Sequence, residues 1–302
     1  MPELPDIEIY VEALRERIVD TRLEDVQLVA PFLLRTVAPA PENARDRQVV
    51  AVRRIGKRIA IGFAADLWFV IHLMVTGRLH WSGIGKQPRK RGVLARLRFS
   101  TGTLVLSEAG SKRRAALHVV AGADALTEFD RGGLEIAGAS RKQFAQRLTA
   151  ENHTLKRALT DPRILSGIGN AYSDEILHRA RLAPTSLSQR LTDAEMARLF
   201  EAARGVLAEW TSRLRRQTAG EFPEQVTAFR DGMAVHGRYG LACPVCGTAV
   251  QRIRYAENET NYCPRCQTGG KLLSDRALAR LLKSDWPRTI EELEKRQPAR
   301  KG

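Results

Sequence analysis

Apolar residues open the chain at helical spacing. Ile7, Val11, Leu14 and Ile18 fall on one face behind Pro5 at a first-turn position, which predicts a helix over residues 5–18. From Leu23 to about Val120 the period shortens. Short β-rich runs (Val49–Val52, Ile59–Phe63, Trp68–Leu73, Val93–Phe99 and Thr103–Leu106) alternate with Gly, Pro and charged turns, the pattern of a β-sandwich. From about Ala139 helical spacing returns, with Phe144, Leu148, Leu155, Leu159, Ile176, Leu177, Met196, Leu199, Val206 and Leu207 as expected core positions. Thr192-Asp-Ala-Glu195 has the form of a capping box and predicts a helix running to about Arg215. Ser166-Gly-Ile-Gly-Asn170 is a glycine-rich turn feeding a helix that starts near Ala171. Beyond Cys266, two short helical patterns flank Trp286-Pro287: Ser274-Asp275 can cap one bearing Leu278, Leu281 and Leu282, and Thr289-Ile-Glu-Glu292 the other.

With 302 residues, 43% of them hydrophobic and 27% charged, the chain can bury a core and is long enough for two domains and a smaller appendage. Its longest strongly apolar stretch, Leu67–Val75, is far short of the roughly 20 residues that span a bilayer. Glu3, Asp6 and Glu8 stand where an export signal would be basic and then apolar, so a cytoplasmic, nucleoid-associated location is expected, with no membrane partner. The 49 Lys+Arg against 34 Asp+Glu give a net charge of +15, which suits a polyanionic partner through counterion release. A merely soluble basic protein is the alternative on charge alone. The surplus is uneven: Lys86-Gln-Pro-Arg-Lys-Arg91 is a basic loop between two strands.

Two features carry chemistry. Cys243-x2-Cys246-x16-Cys263-x2-Cys266 uses every cysteine in the chain and has the spacing of a four-thiolate zinc ribbon. Four thiolates leave no open coordination position, so one structural zinc ion is expected; two disulfides are the alternative. The second feature is Met1-Pro-Glu-Leu-Pro-Asp6. Removal of methionine before proline exposes Pro2 as a secondary amine. An α-amino group titrates near pH 8, and a secondary amine that attacks a sugar C1′ yields an iminium directly, with Glu3 beside it to donate and accept protons. A plain lead-in to a helix is the other reading of Pro2-Glu3.

Pro2-Glu-Leu-Pro5, the Ile55-Gly-Lys57-Arg58 hairpin, Gly167-Ile-Gly-Asn170-Ala-Tyr-Ser-Asp-Glu175 and the cysteine ribbon occur in one order. Together, over residues 2–266, they resemble the formamidopyrimidine-DNA glycosylase and endonuclease VIII family. The resemblance implies an α+β multidomain fold: an N-terminal β-sandwich with a leading helix (1–130), a helix-two-turn-helix domain (131–235), a zinc finger (236–268) and a C-terminal extension (269–302). It implies a monomer that holds damaged duplex or single-stranded DNA between its domains. Pro2 then resembles the Schiff-base nucleophile and Glu3 the acid/base group. Lys57 resembles the hairpin lysine that grips phosphate near the lesion, Asn170 the turn asparagine on the same backbone, and Arg113 and Arg114 the basic residues of a wedge loop. His72 fits a further backbone contact, and equally a satisfied core histidine. The implied activity is that of a bifunctional DNA glycosylase and abasic-site lyase of base excision repair, which flips a damaged nucleotide and nicks the strand by β,δ-elimination.

The chain departs from the family pattern at several positions. Asn258 stands where the finger carries an arginine, flanked by Glu257 and Glu259, and Arg252 and Arg254 are the cations that could substitute. Asp6 replaces a glutamate. Val75 holds the position of a wedge methionine, Met74 lies one residue off, and Ala115 holds that of a wedge aromatic. The stretch Gln217–Met233, where a lesion-recognition loop should fall, matches poorly. Two outcomes compete: a glycosylase for single-stranded, bulky, destabilised or cross-linked lesions, and a damage-binding protein with weak or no excision.

Overall fold

The computed structural model describes residues 1–85, 91–110, 112–224, 226–227, 229–255, 258–273, 281 and 287–296. Lys86–Lys90 of the basic loop, Ser111 of the wedge loop, Glu257, and the Ser274-Asp275 cap with Leu278, Leu282 and Trp286 lie outside the described residues. The chain divides into two compact units, Met1–Gly133 with Ala208–Ala228, and Leu134–Leu207 with Phe229–Gly302.

The first unit opens with helix α1 (Leu4–Ile18). Its start is a capping box in which Glu3 is the N-cap and the Asp6 carboxylate accepts the Glu3 amide at 2.8 Å. Ile7, Tyr10, Val11, Leu14 and Ile18 face inward and are fully buried, as the spacing predicts. Eight strands follow: β1 (Leu23–Leu28), β2 (Val49–Ile55), β3 (Arg58–Phe63), β4 (Leu67–His72), β5 (Gly77–Gly83), β6 (Val93–Phe99), β7 (Gly102–Glu108) and β8 (Ala116–Ala121). They form two antiparallel four-stranded sheets of order β1-β6-β7-β5 and β2-β3-β4-β8. Ile59, Ile61, Phe69 and Ile71 from one sheet and Leu79, Leu97, Leu104 and Leu106 from the other share one core with α1. Strand β5 is absent from the apolar runs because Arg78, His80 and Ser82 take its alternate positions. The hairpin between β2 and β3 turns at Gly56, whose φ of 57° is easily reached only without a Cβ.

The segment Ala208–Ala228 completes this unit. Phe222 is buried 5.7 Å from the ring of Tyr10 and 6.4 Å from that of Trp81, and Val226 joins the same core. Glu224 accepts from the Trp81 amide of edge strand β5 at 3.2 Å and pairs with Nδ1 of His80 at 2.6 Å.

The second unit contains α2 (Arg141–Thr149), α3 (Leu155–Thr160), α4 (Asn170–Ala180) and the first turns of α5 (Asp193–Thr218). A ribbon of β9 (Gln251–Tyr255) and β10 (Asn258–Tyr262) and the short helix α6 (Pro264–Thr268) complete the elements that the site uses. The Thr192 capping box forms as its spacing predicts: Glu195 accepts the Thr192 amide at 2.9 Å and the Thr192 hydroxyl accepts the Glu195 amide at 3.3 Å. Helix α5 runs one turn past the expected Arg215. Among the described residues, no helix is long and apolar enough to cross a membrane.

Candidate active site and metal centre

The first unit gathers an amine, two carboxylates and several cations at the start of α1. Pro2 is buried, and Glu3 and Asp6 are 2% and 1% exposed. Asp6 explains its own shortness: one methylene less than glutamate still reaches back to the Glu3 amide, so the residue acts as a helix cap. The α-amino group of Met1 titrates below its ordinary value. Burial is the main cause; Glu3 and Asp6 oppose it, and Arg78 and Lys57 reinforce it. Burial here disfavours the charged form of a terminal amine, the direction that a nucleophile requires.

Lys57 follows Gly56 in the β2–β3 turn. The turn is braced from α1: Arg54 donates from Nε to Oε1 of Glu8 and from Nη1 to the carbonyl of Gly56. His72 ends β4 half-buried, with Arg58 opposite on β3 and Ala116 opposite on β8. Burial, followed by the charges of Arg58, Lys57 and His118, pushes its pKa down to about 4, so it is a neutral imidazole at physiological pH. Arg113 and Arg114 are exposed. Val75 is 53% exposed at the tip of the β4–β5 turn, whereas Ala115 is fully buried and offers no wedge.

In the second unit, Gly167, at φ 79°, and Gly169 bring the chain to the start of α4, where Asn170 is the first helical residue. Its Nδ2 donates to the carbonyl of Glu259 on β10 at 2.8 Å, and its own carbonyl accepts from Nζ of Lys156 at 2.8 Å. Arg252 and Arg254, the candidate substitutes for a finger arginine, lie 3.1 Å and 3.5 Å from the same carboxylate oxygen of Glu259. Arg252 also stacks 4.0 Å over the ring of Tyr239.

Sequence reasoning gave no role to the two acids that end the α4 motif. Asp174 is fully buried and accepts from Lys156 Nζ at 2.5 Å, His236 Nδ1 at 2.8 Å and the Asn261 amide at 3.2 Å. Glu175 accepts the backbone amides of Ala234, Val235 and His236 at 2.7–2.9 Å. Together they fasten the finger and its lead-in to α4.

The four cysteines are free thiols whose Sγ atoms all lie within 4.8 Å of one another. Cys246 and Cys263 are 3.4 Å apart and Cys243 and Cys266 4.0 Å, close to the roughly 3.8 Å edge of a tetrahedron with Zn–S bonds of about 2.3 Å. Disulfides would require about 2.05 Å, so the thiolate cage replaces that alternative. Cys243, Cys246, Cys263 and Cys266 therefore fit one Zn²⁺ held structurally. Nε2 of His178 on α4 lies 3.3 Å from the Cys243 sulfur, a contact that orients a metal-binding thiolate.

Comparison with known proteins matches three family models along the chain: a formamidopyrimidine-DNA glycosylase N-terminal domain over residues 1–116, a formamidopyrimidine-DNA glycosylase H2TH domain over 136–217, and a zinc finger found in FPG and IleRS over 240–269. The formamidopyrimidine-DNA glycosylase of Thermus thermophilus is 32% identical over 282 residues, covering 89% of this chain and 100% of that protein. An uncharacterized formamidopyrimidine-DNA glycosylase-like protein of Mycobacterium tuberculosis is 40% identical over 151 residues, 50% of this chain and 94% of that protein. Among solved structures, the Lactococcus lactis Fpg complex with abasic-site DNA superposes with a TM-score of 0.78 at 21% identity, covering 88% of this chain and 99% of that one. MutM bound to DNA containing carbocyclic 8-oxo-G gives 0.76 at 22% identity, covering 88% and 100%. These likenesses show the same fold.

Proposed function

Because this chain belongs to the formamidopyrimidine-DNA glycosylase family, we propose that it is a bifunctional DNA glycosylase and abasic-site lyase of base excision repair, acting as a monomer on nucleoid DNA. The observation that carries the reading is the placement of Pro2, buried at the start of α1 beside the equally buried Glu3. Removal of Met1 would turn the Pro2 nitrogen from an amide into a secondary amine at this same buried place.

Its lone pair forms a bond to C1′ as the glycosidic bond breaks, and the damaged base departs with the proton that the pyrrolidine nitrogen releases. Glu3, held as the cap of α1, donates a proton to the sugar ring oxygen as the ring opens to the iminium. The iminium withdraws electrons from C2′; loss of a C2′ proton expels the 3′ phosphate and a second elimination expels the 5′ phosphate. Lys57 holds phosphate as a point charge, Asn170 and the start of α4 hold the backbone, and neutral His72 contributes a hydrogen bond. Arg113 and Arg114 add phosphate contacts from the β7–β8 loop. The zinc shapes the finger and takes no chemical step. The division of labour follows residues 1–130 for catalysis, 131–235 for DNA binding, 236–268 for the finger and 269–302 as an extension.

A single exposed valine, with Ala115 buried, makes a short wedge. This supports substrates whose base is already unstacked: single-stranded, bulky or cross-linked lesions. Borohydride trapping on an abasic oligonucleotide tests the reading. A covalent complex with the wild type, lost in Pro2→Gly and weakened in Glu3→Gln, is the expected result; tight binding without any trapped species leaves a damage-binding protein instead.

A further inference from the structure

The carboxylate of Glu108, at the end of β7, is 2% exposed and holds two loops at once. Its Oε2 accepts the amides of Arg114 at 2.9 Å and Ala115 at 3.1 Å, and its Oε1 accepts the Arg114 amide at 3.0 Å and the Thr76 hydroxyl at 3.3 Å. Among the described residues no lysine, arginine or histidine forms an ion pair with it. A buried carboxyl group met only by loop donors is anchored by those loops, and anchors them in return.

What it anchors is unusual. The β4–β5 turn closes through the Gly77 amide on the Leu73 carbonyl at 2.9 Å, so closely that a Cβ on Gly77 would stand 2.2 Å from that oxygen. Met74 is forced to φ 52°, a conformation a side-chain-bearing residue keeps only where its surroundings over-determine it. The outcome is Val75 exposed at the tip, with Arg78 donating to the Val75 carbonyl at 3.2 Å. Thr76 of this turn and Arg114 of the next loop meet on one carboxylate. An apolar tip flanked by arginines is the form of a side chain that enters a base stack while its neighbours hold phosphate.

We propose that Glu108 is a positioning residue that locks the Val75 turn and the Arg113-Arg114 loop into one rigid insertion device, and so governs how efficiently a stacked, paired lesion is opened. The inference rests on the glycosylase reading above. Glu108 touches no reacting atom, so its removal should affect opening of the stack and spare chemistry on a nucleotide that needs no opening.

The test pairs two substrates with two variants, Glu108→Ala and the near-isosteric Glu108→Gln, and follows their thermal unfolding. Excision from a fully paired duplex should fall about tenfold or more, while borohydride trapping on a single-stranded abasic oligonucleotide stays within about twofold of wild type. A 2-aminopurine next to an abasic-site analogue should brighten on binding wild type and brighten less with either variant, with Thr76→Val intermediate. Equal losses on both substrates, or an undiminished duplex rate in both variants, overturn the proposal. If the wild type itself traps nothing, the lyase reading fails and the 2-aminopurine comparison alone decides: equal brightening by wild type and variants overturns the positioning role.

Discussion

Nε of Arg54 lies 2.5 Å from Oε1 of Glu8, and Nη1 of the same guanidinium donates to the carbonyl of Gly56 at 2.9 Å. One side chain thus ties the helix behind the amino terminus to the turn that presents Lys57. Glu8→Gln should slow single-turnover nicking about tenfold through misplacement of that turn. Because the pair is partly exposed, it should lower unfolding stability by only about 1 kcal/mol. Quenched-flow nicking and a denaturant titration read the two effects separately; an unchanged rate would show that the strut is merely structural.

The pH dependence of stability follows from His72. Its folded pKa of about 4 lies below the ordinary value of 6.5. Between those values the unfolded chain binds a proton that the folded chain refuses. Stability therefore falls as pH drops from about 6.5 towards 4 and is insensitive to this group above 6.5, with a total of no more than about 3 kcal/mol. Arg58, Lys57 and His118 face the same imidazole and add to the effect. His72→Asn should flatten that acid limb in urea titrations at pH 5 and 7.5. A wild-type limb retained in full would assign it to other groups.

Metal analysis should find about one zinc per chain, and none in Cys263→Ser. Chelation should release the ion, open the finger to protease and leave the melting of the β-sandwich in place. Retention of structure after the metal is stripped would remove the four-thiolate cage as a folding element.

Asp174→Asn leaves Lys156 and His236 without their shared carboxylate and should cost about 3 kcal/mol. Amide exchange at residues 234–236 and 261 should rise more than in the β-sandwich, since those amides meet the acids of α4. Uniform exchange throughout the chain would contradict this local fastening.

Both arginines of β9 already engage Glu259. The finger should therefore add little to the salt dependence of DNA binding, and Asn258→Arg should steepen the slope of log K against log salt by about 0.9. Fluorescence anisotropy across a salt series measures it.

Much of this architecture was legible because its signals are local. The α1 face, the Thr192 capping box and the cysteine spacing each lie within one short stretch of the chain and fold as their pattern predicts. Strand β5 was hidden because its polar alternates, Arg78, His80 and Ser82, dilute its hydrophobicity; its burial depends on Phe222, about 140 residues later in the chain. The roles of Asp174 and Glu175 were hidden for the same reason. A buried acid is recognised by the amides it meets, and those come from distant segments.

The chain leaves the first unit after Gly133 and returns to it from Ala208 to Ala228. Phe222 and Val226, both members of the sandwich core, are thus made long after its strands. During synthesis from the amino end, the β-sandwich must wait for them with part of its apolar interior uncovered. A nascent chain stalled before residue 222 should be a chaperone client, and a fragment ending at Gly133 should aggregate although it holds all eight strands of the sandwich.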